Sequence, residues 1–137
     1  MNNKQFLTFC ESLKSDIIKS YEEGVTLEEA ERLAAKFLNG SIQVGEALRV
    51  ADLDRRMKKS GVKTIRAAAY LEAASQGDRK PSDKLIEAVI DSDPVVIENQ
   101  KMFDEAEVEV NALENYLSVF HEAHLFFRGI SKGRFES

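Results

Sequence analysis

The chain has 137 residues, of which 43% are hydrophobic and 31% charged, with a formal net charge of −5. These proportions belong to a folded protein and exclude a disordered tail. No apolar run approaches the roughly 18 residues that cross a bilayer; the opening MNNKQFLTFCESLKSD lacks the basic start and apolar core of a leader; and the single Cys10 excludes an internal disulfide.

A single all-helical domain is expected, intracellular and cytoplasmic, with no membrane partner. Phe6, Phe9, Cys10, Leu13, Ile17 and Tyr21 recur every three or four residues. This spacing predicts an N-terminal helix over residues 1–24 with one apolar face, closed by Gly24, in which Cys10 is a small buried hydrophobe. The sequence TLEE at 26–29 then has the form of a capping box. A helical arm over 26–75 follows, with Leu27, Ala30, Leu33 or Ala34, Phe37, Leu38, Val44, Leu48, Ala51 and Met57 as its apolar positions. Glycine costs about 1 kcal/mol relative to alanine inside a helix, so a kink or break is expected near Gly40, and a stop or bend at Gly61.

QGDRKPSD at 76–83 is dense in turn formers and is expected to be a loop and hinge. A short helix begins at Pro81 or Ser82 and runs to Ile90. Asp93 then caps a long helix with Pro94 at its first position and Gly129 as its stop. Residues 130–137 are expected to form a flexible tail.

The long helix carries Val96, Phe103, Val110, Leu117 and His124 on one edge and Asn99, Ala106, Leu113, Phe120 and Phe127 on the other. Alternating steps of three and four residues mark a helix packed along its length against another helix. At ~1.5 Å per residue the element is about 50 Å long, far beyond the ~14 Å radius of gyration of a compact globule of this length. The expected fold class is therefore all-α, an elongated helical hairpin or bundle whose long C-terminal helix assembles into a homo-oligomer. Val96, Phe103, Val110, Leu113, Leu117, Phe120 and Phe127 are the expected subunit interface. The alternative is a monomeric bundle in which this stripe is core.

Charge is segregated. Residues 49–66 hold Arg49, Arg55, Arg56, Lys58, Lys59, Lys63 and Arg66 against Asp52 and Asp54, whereas residues 87–122 hold ten carboxylates against Lys101. His121 and His124 flank Glu122 in HEAH, but the two-histidine metalloprotease pattern needs a spacing of four, and di-iron bundles need Glu-x-x-His on two helices. No metal, cofactor or catalytic residue is expected. Neither a phosphate-binding glycine loop nor a nucleophile elbow is present, so the chain reads as a binding or assembly protein rather than an enzyme. A basic helical stretch beside an aromatic is the composition of sequence-independent single-strand binding, with the cations on phosphates and Tyr70 stacked on a base.

Three stretches carry a resemblance: Phe37, Leu38 and Asn39; LRVAD at 48–52 leading into basic residues; and AVIDSDPVV opening the last helix. In these the chain resembles the phage recombination mediators of the UvsY type. The resemblance implies a ring-like oligomer that binds single-stranded DNA and helps load a recombinase onto strands covered by single-strand-binding protein. It places the DNA-contact segment on Lys58, Lys59, Lys63 and Arg66, to which the basic stretch itself adds Arg55, Arg56 and Tyr70. The chain departs from the family in having Tyr70 followed by Leu71 where the family shows an aromatic pair. The competing expectation is a phage adaptor, assembly chaperone or host-factor inhibitor that acts through the acidic face of the long helix.

Overall fold

A computed structural model describes residues 3–133, which form four helices and no strand: α1 (Asn3–Glu23), α2 (Leu27–Ala74), α3 (Asp83–Ser92) and α4 (Pro94–Ser131). Local chemistry sets most of the boundaries. Gly24 ends α1 at φ +78°, a left-handed conformation open to glycine without a Cβ penalty. The Thr26 hydroxyl accepts from the Glu29 amide at 3.2 Å, Ser82 accepts from the Leu85 amide, and the Asp93 carboxylate accepts from the Val95 amide at 2.8 Å, so α2, α3 and α4 all begin on a side-chain cap. Proline at the first position of α4 gives up an amide that has no partner there.

Two expectations are corrected. First, α2 runs unbroken through Gly40 and Gly61, and α4 continues past Gly129 to Ser131, where Gly133 at φ +71° takes over as the stop. Gly40 is buried, and a Cβ built on it would lie 2.7 Å from Leu13 Cδ1 and 3.5 Å from the Phe120 ring. The residue permits close approach. Second, Tyr21 stands 92% exposed instead of completing the apolar face of α1, on which Cys10 and Leu13 are buried.

The chain divides into two compact units, one of Met1–Leu48 with Ala112–Ser137 and one of Arg49–Asn111, so the single domain expected from length is built from two bodies that share α2 and α4. In the first, α2 and α4 run antiparallel with α1 against them. Phe37 stacks on Phe127 at a centroid distance of 5.6 Å and lies tilted against Phe120 at 5.8 Å. Burying rings of this size contributes about 1.5–3 kcal/mol each. His124 Nδ1 lies 2.8 Å from the Ala34 carbonyl; a carbonyl only accepts, so Nδ1 carries the proton. The Tyr116 hydroxyl donates to Glu11, and Lys36 pairs with Asp16 across 2.5 Å, tying α1 to both long helices.

In the second unit α3 folds back antiparallel on the end of α2. Ile86 and Ile90, four apart on α3, join Ala73 and Val96 in a buried cluster flanked by Ile65, Ala69 and Tyr70. The expected subunit interface has a different place in the structure. Val96, Val110, Leu113, Phe120 and Phe127 are buried, and Phe103 and Leu117 half-buried, within one chain. The reason is that α2 supplies matching apolar positions within each unit, Ala30, Phe37 and Val44 in the first and Ala51 and Val62 in the second, so the chain itself covers much of the apolar stripe of α4.

Gly45 has nothing within 4 Å of a built Cβ. Gly45→Ala is therefore expected to raise the thermal midpoint through about 0.5–1 kcal/mol of helix propensity. Gly40→Ala is expected to lower it, because buried Leu13 must give way, with overpacking costs of about 1–3 kcal/mol; equal effects at the two sites in thermal denaturation would refute this assignment. A second expectation concerns alkali. Burial pushes the Cys10 thiol from 9.0 up to about 11, and the hydrogen bond to Glu11, reinforced by burial, pushes the Tyr116 phenol from 10.0 up to about 12. Both folded values are raised, so the stability they contribute is fully present below pH 9 and is lost as pH climbs through 11 and 12. Tyr116→Phe is expected to flatten the upper part of that decline in a series of melting curves above pH 10.

Candidate nucleic-acid interface

The unbroken α2 decides how the basic segment is presented. With no interruption at Gly61, positions 49, 52, 56, 59, 63, 66 and 70 follow one another at steps of three and four, which sets Arg49, Asp52, Arg56, Lys59, Lys63, Arg66 and Tyr70 along a single stripe of the helix. Ala51, Arg55, Lys58, Val62, Ile65 and Ala69 form the adjoining seam that faces the interior.

Within that pattern the seven expected contact residues separate into three groups. Arg55 and Lys58 occupy seam positions and are half-buried. Arg55 reaches Asp52 through Nη2 at 2.7 Å, and Lys58 reaches Asp54 at 2.9 Å. The Arg55 hydrogen bond, with Arg56 adding its charge at 2.9 Å, holds the Asp52 carboxyl below its ordinary range. Arg66 and Tyr70 form the second group, occupied by the loop and α3. Arg66 Nη2 stands 3.1 Å from both Glu87 and Asp91, the Tyr70 hydroxyl donates to Asp83 at 3.5 Å, and the Lys80 ammonium sits 5.6 Å from the centre of the Tyr70 ring. Contact with Tyr70, followed by Asp83, holds the Lys80 pKa above its ordinary value. The hydroxyl and one face of this half-buried ring thus already have contacts within the chain.

The third group is Arg56, Lys59 and Lys63. Arg56 keeps 71% of its side chain exposed despite its contact with Asp52. Lys59 and Lys63 are exposed and, among the described residues, have no carboxylate partner. Arg49 joins them on the same stripe, exposed and likewise without an ion pair among the described residues. It was visible in the sequence as part of the basic run but not singled out as a contact; its seven-residue spacing from Arg56 is the signal that selects it.

The remaining candidates are quickly placed. His121 is exposed while His124 is held by Ala34, and among the described residues no group of three or more His, Cys, Asp or Glu stands together as a metal site. Among the described residues no helix is long and apolar enough to cross a membrane. On α4, Glu98, Glu107, Glu109, Glu114 and Glu122 have no cationic partner among the described residues, and Glu105 meets Lys101 only at 4.0 Å. Compared with known proteins, the chain matches no family model, no curated protein and no solved structure.

The ion pairs distinguish two sets of cations that look alike in sequence. Lys59→Ala with Lys63→Ala is expected to leave the melting temperature almost unchanged, whereas Arg66→Ala is expected to lower it by releasing Glu87 and Asp91 beside one another. Thermal denaturation followed by circular dichroism checks both, and a loss at the lysines equal to that at Arg66 would contradict the division.

Proposed function

We propose that the chain is a non-enzymatic recombination mediator: an oligomer that holds single-stranded DNA on the outward stripe of α2 and assists a recombinase in replacing single-strand-binding protein. The observation that carries this reading is the set Arg49, Arg56, Lys59 and Lys63, aligned over 14 residues of uninterrupted helix, about 21 Å, with three of the four cations unspent on carboxylates. A phosphate backbone is a regular line of negative charge, and a straight row of cations matches it without reading sequence. The resemblance to UvsY-type mediators at Phe37–Asn39, LRVAD and AVIDSDPVV supplies the recombinational context. With Tyr70 engaged by Lys80 and Asp83, affinity rests on phosphate contacts, and its dependence on salt is correspondingly steep.

Labelled oligonucleotide binding followed by fluorescence anisotropy across a salt series tests this. Each phosphate contact on a single strand contributes about −0.7 to the slope of log affinity against log salt, so Lys59→Ala with Lys63→Ala should make the slope shallower by roughly 1.4. Arg55→Ala with Lys58→Ala should leave the slope nearly as it was, since those side chains face the seam. Absence of any binding at low salt would remove the reading.

A second reading keeps its own observation, the row of unpaired carboxylates on α4. A protein-only adaptor would use that row to capture a basic partner. Glu105→Lys, Glu107→Lys and Glu109→Lys together should then abolish partner capture in a pull-down while DNA binding is absent from the start; capture that survives the triple reversal rules the adaptor out.

A further inference from the structure

Both long helices carry a second apolar stripe, on the side away from the seam, that the chain leaves uncovered. On α2 it is Val50, Leu53 and Met57, 64%, 61% and 65% exposed, continuing to Leu71. On α4 it is Ile97 and Val108, 52% and 68% exposed, which with Asp104, Glu105, Lys101 and the Arg66–Asp91 pair line an open groove of about 680 Å³ within the Arg49–Asn111 unit. The edges of the two stripes differ in sign. Arg49, Arg56 and Lys63 flank the α2 stripe at intervals of seven residues, and Glu98 and Glu105 flank the α4 stripe at the same interval, about 10.5 Å in each case. Gly61 lies beside the α2 stripe with nothing within 4 Å of a built Cβ. A mid-helix glycine costs about 1 kcal/mol, nothing within the chain fills the space beside this one, and its bare backbone admits a neighbouring helix closely.

We infer that the occupant of the α4 groove is the apolar α2 stripe of a second copy of this chain, with Val50, Leu53 and Met57 on Ile97 and Val108 and the basic edge beside Asp104 and Glu105. Exposed apolar residues stand on both surfaces, Arg49 and Lys63 edge the one while Asp104 and Glu98 edge the other, and the same polypeptide carries both. The contact is heterologous, so a pair keeps one free stripe on one copy and one free groove on the other, and association continues head to tail until a ring closes or a filament grows. This deepens the assembly part of the proposed function, and its basic edge draws on Arg49, Arg56 and Lys63, cations that strand binding also uses. It also relocates the interface from the seam to the faces of α2 and α4 that lie away from it within the Arg49–Asn111 unit.

The test uses the full chain without DNA, in low salt, by multi-angle light scattering and sedimentation velocity. The wild type is expected to self-associate at micromolar concentration and to dissociate as salt rises. Leu53→Asp, which spoils only the stripe, and Val108→Asp, which spoils only the groove, should each weaken association at least about tenfold, close to 1.4 kcal/mol. Both positions are exposed, and unchanged helical circular dichroism confirms folding. Mixed together, the two variants should form a one-to-one complex and nothing larger, since the mixture contains one intact stripe and one intact groove. A monomeric wild type, variants that associate as the wild type does, or no complex on mixing would each overturn the inference. Because no nucleic acid is present, a negative result here leaves strand binding standing, and failure of strand binding leaves this interface untouched.

Discussion

Close contact at Gly40 is the constraint on which the first unit depends. Leu13 from α1 and Phe120 from α4 both press on the α2 backbone where that residue lacks a side chain, and this brings Phe37 against Phe120 and Phe127. A glycine in mid-helix gives up helix propensity. Here the loss is offset by burial of three large side chains around one backbone position, so the helix continues where its local sequence would break it. Cys10, inaccessible in the same interior, packs as a small apolar group, and its raised pKa is a consequence of that burial.

Continuity of α2 then governs the chemistry of the second unit. A helix interrupted at Gly61 would put Lys63, Arg66 and Tyr70 out of phase with Arg49 and Arg56; an unbroken one aligns them all. Alignment alone does not make a binding surface, because α3 returns along the same end of α2 and neutralises Arg66 with Glu87 and Asp91. The free part of the stripe is therefore its N-terminal two-thirds. Surface ion pairs of this kind add little stability, commonly under about 1 kcal/mol. Their effect on function is larger, since a cation already shared between two carboxylates has little left to offer a phosphate.

Segregated charge takes on two meanings in this arrangement. Carboxylates on α3 anchor that helix to α2, while on α4 Glu98, Glu107, Glu109, Glu114 and Glu122 face outward without cationic partners among the described residues and Glu105 meets Lys101 only at 4.0 Å. The outward carboxylates are compatible with solubility, with capture of a basic partner, and with docking of a second copy. What favours the last is the exposed apolar residues between them, which a purely solvated face does not need.

The sequence determined what depends on neighbours a few residues away. Capping by Thr26, Ser82 and Asp93, the left-handed turn at Gly24, the all-helical character and the seam from Val96 to Phe127 all follow from short-range spacing, because a helix turn brings i+3 and i+4 together whatever the rest of the chain does. It did not determine what covers the seam. An apolar heptad pattern states that a partner exists, but the identity of that partner, here the chain's own α2, depends on chain reversal in three dimensions. The same holds for the cations. Lys59 and Arg66 are indistinguishable as entries in a basic run, and only folding, which carries Glu87 and Asp91 across 21 and 25 residues to Arg66, makes one of them structural and leaves the other free.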